Sequence, residues 1–246
     1  MYGRIGRKAL IKELPGLQEK YAPDFIVANC ENITSGRGPV LQHVQAMKEV
    51  GVDVLTGGDH VFDNLKSIGE YLDDTETSLL RPANFYESHT KVPGVGYKIV
   101  QKGDKRLLVI HMIGQVFMRY NVRNPFLYID ELLGSIERSS YDVAILDFHA
   151  EASAEHYGLA FHVDGRIGLV FGTHTHIQTN DELILDGGTG VIADVGMNGP
   201  LYSVIGATYA SVQDRFLSGI TKGKIEQSLD PRYVVNGVCA LFDDVT

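Results

Sequence analysis

The sequence predicts a layered α/β fold. Short apolar runs rich in Val, Ile, Leu or Phe stop abruptly in polar or glycine-containing residues, as buried strands do, and segments with helical spacing lie between them. Strand and helix alternate along the chain, the pattern of a sheet covered by helices. With 246 residues, 44% of them hydrophobic, the chain can bury a large core, and residues 1–246 are expected to form one domain.

The first residues are unusual. Tyr2-Gly3-Arg4-Ile5-Gly6-Arg7 reads as the glycine-bearing turn that normally follows a strand, and it leads into a helix with Leu10, Ile11, Leu14 and Leu17 on its apolar side. The strand that should precede the turn is absent. Strands are then expected at FIVA from Phe25, VDVL from Val52, LLVIHMI from Leu107, VAIL from Val143 and LVF from Leu169, with a shorter one at VIADV from Val191. Helical spacing links Leu41, Val44 and Met47, then Leu65, Ile68 and Leu72, then Phe126, Ile129, Leu132 and Leu133. Residues 93–103 and 181–190 carry glycine and few core residues and read as hairpins or surface loops. After Gly206 the pattern gives a helix over about residues 207–217 and a terminal strand around residues 233–242.

Composition narrows the function. No run approaches the roughly 20 apolar residues that span a bilayer, and the opening MYGRIGRKAL lacks the apolar stretch of a secretion signal, so a cytoplasmic protein without a membrane partner is expected. Cys30 and Cys239 are too few for a disulfide framework or a thiolate metal site and read as core residues of a reducing compartment. A formal charge of −9 argues against long nucleic acid, which needs a concentrated field of Lys and Arg. An acidic protein still binds a small phosphate ester when bound cations supply the positive charge, which directs attention to metal ligands.

Such ligands follow four strand ends. FIVA runs into Asn29-Cys30-Glu31-Asn32, VDVL into Thr56-Gly57-Gly58-Asp59-His60, VAIL into Asp147-Phe148-His149-Ala150-Glu151, and LVF into Gly172-Thr173-His174-Thr175-His176. Carboxyl ends of strands form the binding edge of open α/β sheets, so the four loops are expected to converge. Imidazole, carboxylate and amide together suit Mn, Fe or Zn better than Ca or Mg.

Each group has a plainer explanation by itself. His174 and His176 could be loop histidines bonded to backbone, Glu31 and Asn32 an Asn-rich turn, and Asp59 and His60 a surface turn or helix cap before Leu65. His149 could be a core histidine held by Asp147. Recurrence at four strand ends favours ligation, with Glu31 able to bridge two cations. His111, inside an apolar strand, reads as a bonded core residue, while His43, His89, His156 and His162 read as surface or supporting residues. The turns Gly36-Arg37-Gly38 and Asp194-Val195-Gly196-Met197-Asn198-Gly199 read as ordinary turns that could approach a substrate.

Taken together, NCEN, GGDH, RPANF from Arg81, DFHAE, GTHTH and DVGMNGP resemble the bacterial YmdB-like metallophosphoesterases, and the similarity covers nearly the whole chain. The resemblance implies a calcineurin-like sandwich of β-sheets flanked by helices, two divalent or trivalent metal ions (Fe, Mn or Zn), and hydrolysis of 2′,3′- or 3′,5′-cyclic nucleotides by metal-bound hydroxide. By matching position, Glu31 would bridge the metals, Asn32 would assist at one, and Asp59, His149, His174 and His176 would be ligands. His60 would be the acid or phosphate-contacting residue. The resemblance also points to a homo-oligomer.

Two departures accompany it. Where the family has Gly-Asn-His this chain has Gly58-Asp59-His60, a carboxylate for an amide, which should bind metal more tightly while reducing its net charge. The family also opens with a strand ending in Gly-Asp, whose Asp is a ligand, and this chain starts just past it. The expectation is a sheet missing its first strand and a weakened metal site, with a start at an internal methionine favoured over true loss. A phosphomonoesterase or nucleotidase, and a catalytically weak metal- or nucleotide-binding regulator, are the rival readings.

Overall fold

The structure, a computed structural model, describes residues 1–87 and 90–243; His89 lies outside them. Helix α1 (Gly3–Tyr21) is followed by strand β1 (Val27–Asn29), α2 (Leu41–Glu49), β2 (Val54–Thr56), α3 (Leu65–Leu72) and β3 (Leu79–Leu80). Next come β4 (Tyr97–Lys102), β5 (Lys105–Ile113), α4 (Pro125–Ser135), β6 (Val143–His149), α5 (Ser153–His162) and β7 (Leu169–Thr173). The chain continues through β8 (Leu183–Ile184), β9 (Gly190–Ile192), β10 (Gly199–Pro200), α6 (Tyr209–Ser218) and β11 (Tyr233–Val234).

Two main sheets result, one ordered β1-β2-β3 and the other β4-β5-β6-β7-β9-β8, with a small β10-β11 pair. The pairs β1–β2, β2–β3, β5–β6, β6–β7 and β7–β9 are parallel, so their carboxyl ends share an edge. Residues 97–102 form a hairpin arm on β5, and 183–184 one on β9, where the sequence predicts hairpins or loops.

Two-residue alternation sorts the side chains into layers. On β5, Leu108, Ile110 and Met112 join Leu146 and Phe148 of β6 in a core against α4 and α5, while Leu107 and Val109 join Ile145 and Phe171 on the opposite face. The smaller sheet supplies Val54 and Leu80 to that second cluster and Leu55 and Leu79 to a third, packed with α1, α2 and α3 residues. The layers are helix, sheet, sheet, helix. Truncating a fully buried side chain such as Phe148 to Ala should cost about 3–5 kcal/mol. Asn124 caps α4, accepting from the Phe126 and Leu127 amides, with Pro125 in the first turn, an arrangement worth about 1 kcal/mol.

The inter-sheet layer is incompletely filled. A trench of ≈ 1370 Å³ runs beside β1, lined by Phe25, Val27, Ile145, Phe171 and Phe242 among others, and its lining reaches Glu31, Asn32, His174 and His176. Within the sheets, β1 pairs with β2 alone. Met1 and Tyr2 run alongside the end of β1, with the Met1 ammonium donating to the Asn29 carbonyl at 2.8 Å and the Gly3 amide to that of Asn32 at 2.8 Å. No described strand precedes α1.

Several expectations are corrected. Residues 3–7 are the first turns of α1 and not a free turn, because the Gly6 amide already reaches back to the Tyr2 carbonyl. The strand at 191–195 ends at Ile192, where Asp194 leaves the ladder to bind Thr175. The terminal strand shrinks to Tyr233–Val234 because its partner β10 has only two residues. Helix α5 is an addition to the expected elements, since a buried face that includes Glu155 and His156 leaves no clear apolar stripe. His156 is buried, its Nε2 bonded to the Ala150 carbonyl. Cys30 is core, but Cys239 is exposed. No helix among the described residues is long and apolar enough to cross a membrane.

Candidate metal centre

The carboxyl ends of β1, β2, β6 and β7 deliver their polar residues to one place. One ligand atom from each of Glu31, Asp59, His149 and His174 lies within 4.8 Å of the others. The His149 Nε2 is 3.4 Å from Glu31 Oε1 and 3.7 Å from Asp59 Oδ1, and His174 Nδ1 is 3.2 Å from the same nitrogen.

A second group adjoins the first through Glu31. Its Oε2 accepts from the Asn32 amide at 2.9 Å, and that amide also lies 3.0 Å from His176 Nε2. The two oxygens of Glu31 therefore face two neighbouring donor sets. All six candidates named from the sequence sit in this region, together with His60, whose Nε2 is 3.7 Å from Asp59 Oδ1 and 3.9 Å from Glu31 Oε1.

Local backbone explains why these residues can crowd. Gly58 has φ +58°, and a Cβ there would lie 2.6 Å from Glu31 Cγ and 2.9 Å from His149 Cε1, so the second glycine of GGDH gives the carboxylate and the ring their space. His174 and His176 both have positive φ, 125° and 70°, which non-glycine residues adopt only when surroundings impose it. The buried Asp194 does so, accepting from the Thr175 amide at 2.8 Å and its hydroxyl at 2.9 Å and thereby pinning the residue between the two rings.

Outer partners fix the ring tautomers. His149 Nδ1–H donates to Thr173 Oγ1 at 2.8 Å, and that hydroxyl donates to Asp147 Oδ1 at 2.7 Å, leaving His149 Nε2 for the cluster. The Thr56 hydroxyl and the Asn29 amide also donate to Asp147. His176 Nδ1–H donates to the Ile205 carbonyl at 2.8 Å, so its Nε2 likewise faces inward. His174 presents its Nε2 to Glu151 at 3.1 Å. His111 lies just beneath, accepting from the Gly58 amide and donating to the Asp147 carbonyl, the bonded core residue the sequence predicts.

Electrostatics follow from burial among like and unlike charges. Burial opposes a cation at His149, but Glu31, Asp59 and Asp147 outweigh it and push the ring up to about 10. Burial raises Glu31, partly offset by His149. Burial also opposes charge on Asp59, yet its contacts with His149 and Glu31 pull it well below the usual carboxylate range. His174 and His176 are depressed to about 4, chiefly by burial, and stay neutral, the form that binds metal.

A cation fits this donor set on a structural test. Asp59 Oδ1 is buried and has no hydrogen-bond partner, a costly state for a carboxylate oxygen unless something positive sits against it. It faces His149 Nε2, beside a second carboxylate and the neutral imidazole of His174, a mixed O/N set suited to Zn, Mn or Fe.

Sequence reasoning missed residues that act through these. Asp63 accepts from His60 Nδ1 at 2.7 Å, and its i,i+3 spacing behind a tight turn is a signal that could have marked it. Arg119, from a distant loop, lies 3.6 Å from Asp59 and 2.8 Å from Asp63, and nothing local in the sequence announces it.

Known proteins resemble this chain over most of its length. A 2′,3′-cyclic-nucleotide 2′-phosphodiesterase from Bacillus subtilis (strain 168) is 38% identical over 219 residues, 89% of this chain and 80% of that protein. A crystal structure of a hypothetical protein from Thermus thermophilus superposes with a TM-score of 0.84 at 30% identity, covering 96% of this chain and 93% of that one. One of a novel phosphatase from Mycoplasma pneumoniae also gives 0.84, at 31% identity, covering 93% and 80%. The architecture is the calcineurin-like sandwich of sheets between helices. The description "YmdB-like protein" matches residues 1–246, and the chain belongs to that family.

Proposed function

We propose that this protein is a metal-dependent phosphoesterase that opens cyclic nucleotide diesters at a dinuclear centre. The observation that carries the reading is the buried, unpartnered Asp59 Oδ1 facing His149 within a four-residue donor cluster. Glu31, Asp59, His149 and His174 would hold one cation, and Glu31, Asn32 and His176 the other, with the Asn32 amide turned to present its oxygen. Bound there, the cations lower the pKa of a water and offset phosphoryl charge.

The remaining work falls to the chain. Asp63 holds His60 by Nδ1, so that Nε2 faces the cluster, where a proton on it reaches the departing oxygen. Thr173 and Asp147 keep His149 Nε2 pointed at the donor cluster, where it would serve as a ligand. The name of the Bacillus subtilis relative supports a 2′,3′-cyclic diester as the first substrate to examine. The Mycoplasma pneumoniae structure's description as a phosphatase favours a phosphomonoesterase as the second reading.

The test pairs metal analysis with hydrolysis of 2′,3′- and 3′,5′-cyclic nucleotides and nucleoside monophosphates by the metal-loaded protein. Cyclic diesters should be turned over fastest, and Glu31→Gln should lose both metal and turnover. Faster cleavage of monophosphates would favour the second reading, and full activity in Glu31→Gln would remove the bridging role.

A further inference from the structure

The loop between β5 and α4 is stitched down at both ends. The Gly114 amide donates to the His149 carbonyl at 2.9 Å, and those of Gln115 and Val116 donate to Glu155. Gln115 Nε2 closes the loop by donating to the Val122 carbonyl at 2.9 Å. Farther on, Arg119 reaches Asp59 and Asp63, and Tyr120 packs edge-on against Phe85 with ring centroids 5.2 Å apart. The loop is thus fixed against the candidate centre.

At its tip stands Phe117, 87% exposed, with φ +61°. A single exposed apolar side chain is ordinary on a protein surface. A bulky aromatic residue in left-handed backbone, on a loop held this firmly, is not, because that conformation persists only where its surroundings impose it. It lies two residues from Arg119, so their Cα atoms are within about 7 Å of each other. An aromatic face on a loop that Arg119 ties to the candidate centre is suited to a nucleobase, which stacks without regard to its hydrogen-bonding edge.

We propose that Phe117 is the platform on which the base of a nucleotide substrate stacks, making it a specificity-determining residue. Arg119 positions the loop by its ties to Asp59 and Asp63. The inference rests on the nucleotide-diester reading, and it predicts dependence on the base but indifference to base identity.

The chain contains no tryptophan, so Phe117→Trp would place a lone tryptophan at the tip, excited selectively at wavelengths the tyrosines do not absorb. Adenosine and uridine monophosphates should both quench it, and ribose 5-phosphate should not. In the metal-loaded protein, Phe117→Ala should raise KM for cyclic nucleotides about ten-fold with little change in kcat. It should leave hydrolysis of glycerol 1,2-cyclic phosphate, which has no base, as it was. Equal effects on both esters, no effect on either, or an absence of quenching would overturn the platform. So would a change in oligomeric state on Phe117→Ala with KM unaltered, which would make the ring a subunit contact. If the wild-type protein cleaves neither ester, the diesterase reading fails, and quenching by the monophosphates alone then decides for or against stacking.

Discussion

His60 and Asp63 are joined across a single tight turn: the ring donates its Nδ1 proton to Oδ2 at 2.7 Å, and Nε2 is thereby aimed at Asp59 Oδ1, 3.7 Å away. Arg119 Nη1 lies 3.2 Å from the same Nδ1, but that nitrogen cannot donate to one group and accept from the other, and the nearer carboxylate takes the proton. The pair has the form of an acid and its orienting group.

Replacing His60 with Ala should therefore lower turnover by about 10²- to 10⁴-fold while metal content stays near that of the wild type. Asp63→Asn should give a smaller loss in the same direction, because the ring loses its anchor and not its chemistry. Metal analysis beside steady-state rates checks both; loss of metal in His60→Ala with rates per bound metal unchanged would make His60 a ligand.

Thr173 links His149 to Asp147 and touches no proposed cation site directly. Thr173→Val keeps the shape but removes the hydroxyl, and metal affinity measured by competition with a chelating dye should fall about 10- to 100-fold. Unchanged affinity would mean that packing alone holds the ring.

The buried histidines fix the pH behaviour of the protein stripped of metal. His111, His174 and His176 are lowered from 6.5 to about 4, burial being the main cause, so the folded state binds fewer protons than the unfolded state between these values. Their contribution to stability is complete above about pH 6.5 and is lost as pH falls toward 4. His149 is raised from 6.5 to about 10, so its contribution is complete below about 6.5 and is lost as pH rises toward 10. Denaturant midpoints measured in chelator should peak near pH 6.5, and His149→Gln should flatten the basic side. Adding metal to the folded protein should release the His149 proton wherever that ring is charged, below about pH 10, because the ligand must be neutral.

The two thiols should be sharply distinct. Burial pushes Cys30 up to about 12, whereas Cys239 is exposed. A thiol reagent should modify one cysteine in the folded protein and two in denaturant; rapid modification of both in native conditions would contradict the core around β1.

Periodicity in the sequence located the strands whose both faces are covered, because a run such as LLVIHMI or VAIL has few other places to go. It failed where the local pattern is weak or a partner is short. Helix α5 hides an acid and a histidine on its inner face, and β11 stops after two residues because β10 offers no more to pair with. The ligand-bearing strand ends were readable for a related reason: a carboxylate, amide or imidazole directly after a buried strand can only stand at the sheet's rim.

Residue identity and order along the chain thus settled which chemical groups arrive at the rim, and from which strands. Which atoms face one another was decided by the tertiary structure alone. Parallel register sets His149 level with Ile113 on one side and Thr173 on the other, and the approach of the β1–β3 sheet carries Glu31 and Asp59 up to it. The same burial then sets the charge of each ring, since removing water raises the cost of an ion everywhere except beside an opposite charge, and that balance exists only once chain segments more than a hundred residues apart have met.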